Sequence, residues 1–179
     1  MPATRQDLFA RLDALGIGHS TVEHPPIFTV EEGTEIRRAI PGLHSKNLFL
    51  KDRGGRLFLL CAEGSASVRI NHLHRRLAER GLDCKRLSFG KPDLMEEVLG
   101  VTPGSVTLFA LINDVERRVT LLLDEVLAGA DCVNFHPLLN DASTAVSGAD
   151  AVRFAEATGH APIVLSRSEM AGGPAQDPA

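Results

Sequence analysis

Polar residues stand where several apolar segments of the chain begin or end, and their types suit a binding or catalytic site. Lys46 precedes the apolar run 48–50, where its ammonium either reaches solvent along its four-carbon stem or sits at a pocket mouth for an anionic or carbonyl ligand. Each of the others has an ordinary structural alternative as well, such as a helix cap, a turn or a loop histidine. They are Thr29, Asn47, Gly104, Ser105, Asn134, His136 and Pro137.

The common catalytic motifs are absent from the sequence. It contains no G-x-S-x-G elbow, no Walker loop and no dinucleotide fingerprint. His72 and His74 are two residues apart with no cluster of partners, so the spacing predicts no metal site. Neither a metal nor any other cofactor is expected.

The strongest local signal is a β-hairpin. The residues from His44 to Lys51 and from Arg56 to Cys61 form two largely apolar runs around the turn Asp52-Arg53-Gly54-Gly55. Strands this apolar are usually buried on both faces. We therefore expect the hairpin to lie centrally in a sheet, with Lys46 at the entrance to its first strand.

Further elements follow from periodicity, caps and turn residues. A capping box at Thr4 starts a first helix, and a short second helix over 31–40 is interrupted by Gly33 and ended by Pro41-Gly42. Other helices are predicted over 71–80, 93–99 and 148–158. Strands are predicted over 18–23, 84–89, 108–112, 119–123, 133–135, 144–146 and 163–165. Residues 1–168 form one predicted domain, and 169–179 a disordered Gly/Pro/Ala tail.

Composition limits the class of protein. With 44% hydrophobic and 23% charged residues, the chain is typical of a globular domain. Its net charge of −4 argues against nucleic-acid binding through a broad basic surface, and so against DNA binding. One RNA end could still meet a local patch. Three cysteines without CxxC spacing indicate reduced thiols. No run reaches membrane-spanning length and no signal-peptide core is present, so we expect a cytoplasmic protein without membrane contact.

Three separate motifs resemble the YbaK/ProX family, the free-standing relatives of the editing domain inserted in bacterial prolyl-tRNA synthetase. They are Ser45-Lys46-Asn47-Leu48-Phe49-Leu50, Leu99-Gly100-Val101-Thr102-Pro103-Gly104-Ser105-Val106 and Val133-Asn134-Phe135-His136-Pro137-Leu138. The resemblance covers about residues 4–166. It implies a single α/β (α+β) domain in which a mixed sheet curls toward a barrel with surrounding helices.

The resemblance also implies an activity and its residues. The last two motifs look most like the alanine-specific branch, a trans-editing hydrolase of Ala-tRNA(Pro) that spares Pro-tRNA(Pro). Lys46 and His136 would then be catalytic. The substrate would meet Phe28, Thr29, Val30, Asn47, Gly104, Ser105, Asn134, Phe135 and Pro137. The implied partners are the acceptor end of aminoacylated tRNA(Pro) and, transiently, prolyl-tRNA synthetase.

Two alternatives stay open from the sequence. One is a Cys-tRNA(Pro) deacylase, and the other is a non-catalytic RNA- or regulator-binding module of the same fold. Two departures from the family pattern concern the pocket's shape. Val133 stands where a Gly-x-x-x-Pro loop ending at Pro137 would place glycine, and Leu108 replaces an expected proline.

Overall fold

The computed structural model describes residues 1–27 and 29–172, and its centre is one mixed eight-stranded sheet. The strands are β1 (Ser20–Glu23), β2 (Leu43–Asp52), β3 (Leu57–Glu63), β4 (Leu87–Phe89), β5 (Val119–Asp124), β6 (Val133–Phe135), β7 (Ala142–Val146) and β8 (Ile163–Leu165). Their hydrogen-bonded order is β1-β7-β6-β2-β3-β5-β8, and β4 pairs separately with β2.

Helices surround this sheet, which confirms the predicted single α/β domain with a mixed sheet. They are α1 (Arg5–Ala14), α2 (Val30–Ala39), α3 (Ile70–Glu79), α4 (Pro92–Leu99), α5 (Glu125–Ala128), α6 (Gly148–Ala157) and α7 (Arg167–Ala171), with a 3-10 helix over Leu108–Ile112. Within the described residues, no helix combines the length and apolar character needed to cross a bilayer.

The predicted hairpin is present and central. β2 pairs antiparallel with β3 from Ser45↔Glu63 to Lys51↔Leu57, and β3 pairs in parallel with β5. Asp52 stabilises the turn because its carboxylate accepts hydrogen bonds of 2.9 Å from the backbone N–H groups of Arg56 and Lys85. Gly55 takes a φ of 91°, which a side chain would disfavour.

Alternation along the hairpin divides the apolar residues between two cores, one on each face of the sheet. Phe49 and Leu59 belong to the larger core, with α1, α4, α6 and the 3-10 helix. Leu50 and Leu60 belong to the smaller core, which α3 and α7 cover. The long apolar runs of the hairpin are explained by this burial on both sides.

Three predicted elements differ from the structure. The strand predicted over 108–112 is a 3-10 helix, whose start Thr107 caps by accepting a hydrogen bond from Phe109 N–H. The strand predicted over 84–89 is limited to Leu87–Phe89. The disorder predicted over 169–179 is wrong for 169–171, because α7 continues to Ala171 and buries Met170 in the smaller core, and residues 173–179 lie outside the described residues.

Candidate functional site

A small cleft lies where β6 and β7 meet the start of β2. Val133 and Phe135 pack into the larger core, and strand alternation turns Asn134 to the opposite face. The second helix, α2, covers this face. The cavity measures about 40 Å³ and is lined by Ile27, Ile36, Arg37, His44, Ser45, Asn134, Phe135, His136 and Ser143.

His136 presents one ring nitrogen to the cleft in a fixed tautomer. Its Nδ1 lies 3.0 Å from the carbonyl oxygen of Ala142, and because a carbonyl only accepts, Nδ1 carries the proton. Burial lowers the pKa of His136, and the electrostatic influence of His24, Arg37 and His44 acts in the same direction, against the opposing effect of the Ala142 hydrogen bond. The neutral ring therefore offers Nε2 as an acceptor.

A second histidine pairs with a cleft hydroxyl. His24 Nδ1 donates to the carbonyl oxygen of Pro25 at 2.9 Å, so in the neutral ring Nε2 accepts from the Ser143 hydroxyl at 3.0 Å. The rings of His24 and His136 are 6.2 Å apart between centroids. Among the described residues, no three His, Cys, Asp or Glu side chains are grouped to hold a metal ion.

Asn134 joins the floor of the cleft to the chain that follows α2. Its Nδ2 donates to the carbonyl oxygens of Pro41 at 2.9 Å and Leu43 at 3.1 Å. The Ser45 hydroxyl donates to the backbone oxygen of Asn134 at 3.1 Å, and Asn47 Nδ2 donates to that hydroxyl at 3.1 Å. Asn134 and Asn47 thus belong to one hydrogen-bond network across β2 and β6.

Lys46 is near this network but its side chain is bound elsewhere. The side chain is half-buried, and Nζ donates a hydrogen bond to the carbonyl oxygen of Ala66. Lys46 is not among the residues that line the cleft. A contact between Lys46 and a substrate therefore requires the ammonium to exchange this carbonyl for the ligand, and it stays a prediction.

The Gly104–Ser105 turn does not line the cleft, and Asn140 lies between the turn and the cleft residue Ile27. Ser105 is buried and its N–H donates to the carbonyl oxygen of Thr102 at 3.0 Å, so it is not free to meet an ester. Gly104 has a φ of 89°, and a Cβ there would meet Asn140 Nδ2 only at 3.6 Å. Asn140 in turn donates to the carbonyl oxygen of Ile27, a cleft residue, at 3.2 Å. The glycine is required by backbone conformation rather than by a crowded neighbour.

The remaining predicted residues have mainly structural contacts. Thr29 forms a capping box with Glu32 at the start of α2, where Thr29 Oγ1 accepts a hydrogen bond of 3.2 Å from the Glu32 N–H. Val30 is the first residue of that helix. Phe28 lies outside the described residues. Phe135 packs edge-on against Phe109 at 5.4 Å between centroids, and Pro137 is buried.

The sequence prediction missed four polar residues that line the cleft, namely Arg37, His44, Ser45 and Ser143, and also His24, which contacts Ser143. The four lining residues come from α2, β2 and β7, so no local spacing connects them all. His24 and Ser143 are 119 positions apart in the chain, and only the pairing of β1 with β7 brings them together.

Comparison with known proteins decides the family. The family model described as an aminoacyl-tRNA editing domain matches residues 24–154. The chain belongs to this family. The match confirms the resemblance found in the three motifs, and it identifies the chain as an aminoacyl-tRNA deacylase, an ester hydrolase that acts on aminoacyl-tRNA.

Two curated relatives agree with this assignment, and one solved structure shares the fold. The chain is 38% identical to the prolyl-tRNA synthetase associated domain-containing protein 1 of Danio rerio, over 90% of this chain and 86% of the relative. It is 31% identical to the prolyl-tRNA editing protein ProX of Acetoanaerobium sticklandii, over 87% and 93%. A crystal structure described as a candidate trans-editing enzyme for prolyl tRNA synthetase shares the fold, with a TM-score of 0.67, 19% identity and coverage of 93% and 97%.

Proposed function

We propose that this deacylase hydrolyses Ala-tRNA(Pro) in trans and spares Pro-tRNA(Pro). The observation that carries the proposal is the size of the cleft, about 40 Å³. A cavity needs about 10–15 Å³ to hold one water molecule, so the space beside His136 suits a group of only a few atoms, such as the alanine side chain. We choose tRNA(Pro) as the tRNA because the relatives' names refer to prolyl-tRNA, and one relative is a prolyl-tRNA editing protein.

Exclusion by size explains why a separate enzyme is useful. Proline exceeds alanine by about two methylene groups, and one methylene changes binding by only roughly 10- to 200-fold. A synthetase built for proline therefore admits some alanine. A second site too small for the proline ring removes alanine from tRNA(Pro) and leaves the correct product intact.

The cleft residues can support ester hydrolysis without a covalent intermediate. Water adds to the ester carbonyl carbon, the bond to the ribose 3′ oxygen breaks, and that oxygen leaves with a proton, giving free alanine and tRNA. The neutral Nε2 of His136 accepts a hydrogen bond from the attacking water and orients it. A neighbouring ribose hydroxyl of the tRNA can assist. Lys46, released from Ala66, would hold the carbonyl or the terminal phosphate by a charge-assisted hydrogen bond.

The implied partners follow from this reaction. The protein binds the acceptor end of tRNA(Pro). A transient association with prolyl-tRNA synthetase would pass the misacylated tRNA to the deacylase before that tRNA is released into solution. Co-purification of the two proteins with and without tRNA(Pro) tests the association independently of the chemistry.

The test is hydrolysis of tRNA(Pro) charged with alanine, cysteine, serine or proline by the purified protein. We expect rapid loss of the alanine ester and a proline ester as stable as in buffer alone. Equal hydrolysis of the cysteine and alanine esters, or any hydrolysis of the proline ester above the spontaneous rate, would overturn the assignment. Preference for cysteine would indicate the neighbouring branch of the family.

A further inference from the structure

One acceptor atom of the cleft is buried without a partner. Asn134 is 3% exposed, and its Oδ1 has no hydrogen-bond donor within reach among the described residues. A buried polar atom without a partner is costly, so an acceptor of this kind beside a cleft is a candidate to bind a donor group of the ligand. The same residue lines the cleft beside His136.

The orientation of the Asn134 amide is fixed by its other end. Nδ2 faces two carbonyl oxygens, those of Pro41 and Leu43, and a flipped amide would place Oδ1 against both of them. Gly42 permits this close approach, because a Cβ at position 42 would lie 3.1 Å from Asn134 Nδ2. Oδ1 is therefore held as an acceptor and cannot turn into a donor.

The ligand must then offer a donor at this position. In an aminoacyl ester bound with its side chain in the cleft, the α-amino group is the N–H donor nearest the scissile carbonyl. The cleft neighbours of Asn134 that carry or can carry charge are Arg37, His44 and His136. A neutral amide oxygen beside these groups suits an amine, which donates hydrogen bonds whether or not it is protonated.

We propose that Asn134 Oδ1 accepts a hydrogen bond from the free α-amino group of the substrate, so that the enzyme selects aminoacyl esters over esters lacking that amine. The choice of alanine as the amino acid rests on the proposed function. Recognition of the amine does not rest on that function, because it is tested by comparing matched esters of one tRNA. Asn134 is a specificity-determining residue in this assignment.

The experiment compares three acyl groups on tRNA(Pro), namely alanyl, lactyl and isobutyryl. Isobutyryl replaces the amine of alanine by a methyl group of similar size, and lactyl replaces it by a hydroxyl that still donates. Each enzymatic rate is divided by the spontaneous rate of the same ester, because the amine itself activates the carbonyl. We expect the normalised rate of the isobutyryl ester to fall about 100-fold or more below alanyl, with lactyl between them.

The Asn134→Leu variant assigns the effect to this residue. Its alanyl-to-isobutyryl ratio should collapse toward one. Because both rates come from one preparation, loss of folded protein cancels from the ratio. A wild-type isobutyryl rate within threefold of alanyl would overturn the proposal, and so would an unchanged ratio in the variant. If only the cysteine ester is hydrolysed, the proposed substrate fails, and comparing cysteinyl with 3-mercapto-2-methylpropanoyl, in which a methyl group replaces the amine, then decides the role of the amine.

Discussion

The imidazole Nδ1 of His136 donates a hydrogen bond of 3.0 Å to the carbonyl oxygen of Ala142, across the turn that joins β6 to β7. This contact makes Nε2 the nitrogen available to the cleft. Protonation of Nε2 would remove its lone pair and convert it into a donor. The activity of the cleft should therefore follow the titration of this ring.

The first prediction concerns pH. Burial lowers the pKa of His136 below its ordinary value of 6.5, with help from the electrostatic influence of its neighbours, so the neutral ring persists to lower pH than in a free histidine. We expect kcat/KM for Ala-tRNA(Pro) to stay level from pH 8 to about 6.5 and to decline only below it. His136→Gln should lose most activity and this acid limb together.

Folding stability should respond with the same sign. The unfolded chain binds a proton at His136 near pH 6.5 while the folded chain does not, so the free energy of unfolding falls as pH drops through that value. An acid limb centred above pH 6.5, or one retained in His136→Gln, would contradict the assignment. Denaturant titrations of both proteins at pH 5.5 and 7.5 check the stability effect.

The second prediction concerns Lys46. Lys46→Ala should reduce kcat/KM by more than tenfold, because one hydrogen bond from a charged group is worth about 1.5–3 kcal/mol. If Lys46 serves only the bond to Ala66, the variant should instead lose stability and keep its activity. Measuring the unfolding midpoint and the deacylation rate on the same samples separates the two roles.

The matched control is an exposed lysine on another element. Lys91 precedes α4 and is exposed, and Lys91→Ala should leave both quantities unchanged. Lys46→Arg adds a further comparison because it keeps the charge but changes its shape. Full activity in a folded Lys46→Ala variant would remove Lys46 from the site.

Local signals predicted the central fold well. The hairpin was predictable because its turn residues and its two apolar runs are adjacent in sequence. The run 108–112 was predicted wrongly because a short buried apolar segment has the same pattern as a strand or a helix. The end of the domain was misplaced because Met170, a single apolar residue near a Gly/Pro-rich tail, gives no periodicity to read.

Proximity among the cleft residues was predictable only within a motif. Asn134, Phe135 and His136 are adjacent in one motif and all three line the cleft, while their roles in the reaction stay a prediction. His24 and Ser143 could not be connected from sequence, because strand pairing across 119 positions creates their contact. The unpartnered oxygen of Asn134 is likewise a product of three-dimensional packing, which no spacing reveals.

The third prediction tests the pair His24 and Ser143. Ser143→Ala removes the hydroxyl that donates to His24 Nε2 at 3.0 Å, and a net hydrogen bond of this kind is worth about 0.5–1.5 kcal/mol. If His24 helps to arrange the cleft, kcat/KM should fall by roughly 3- to 10-fold while the fold is retained.

Thr21→Val is the matched control for Ser143→Ala. It removes the neighbouring hydroxyl pair Thr21–Thr144, at 2.8 Å on the same two strands, without touching the cleft. We expect Thr21→Val to lower the free energy of unfolding and to leave the activity of the folded protein unchanged. Equal activity losses in the two variants would show that Ser143 contributes only to strand pairing.

The last prediction concerns α2, which covers the cleft with Ile36 and Arg37. Within 31–39, Gly33 is the only buried residue, so little packing holds the helix in place. The cavity beneath it is smaller than an aminoacyl ester with its ribose. We therefore expect α2 to act as a lid that opens to admit the acceptor end.

Hydrogen exchange measures this opening directly. Amides of 31–42 should exchange fast in the free protein and slow down when a non-hydrolysable alanyl-adenosine analogue binds, while the β2–β3 hairpin stays protected throughout. Gly33→Ala should stiffen the lid, since alanine favours a helix by about 1 kcal/mol and its Cβ would meet Ile27 Cγ2 at an acceptable 3.4 Å. Thr29→Ala should loosen it by removing the N-cap, at a cost of ~1 kcal/mol. Protection of 31–42 equal to that of the hairpin and unchanged by ligand would make α2 a fixed part of the scaffold.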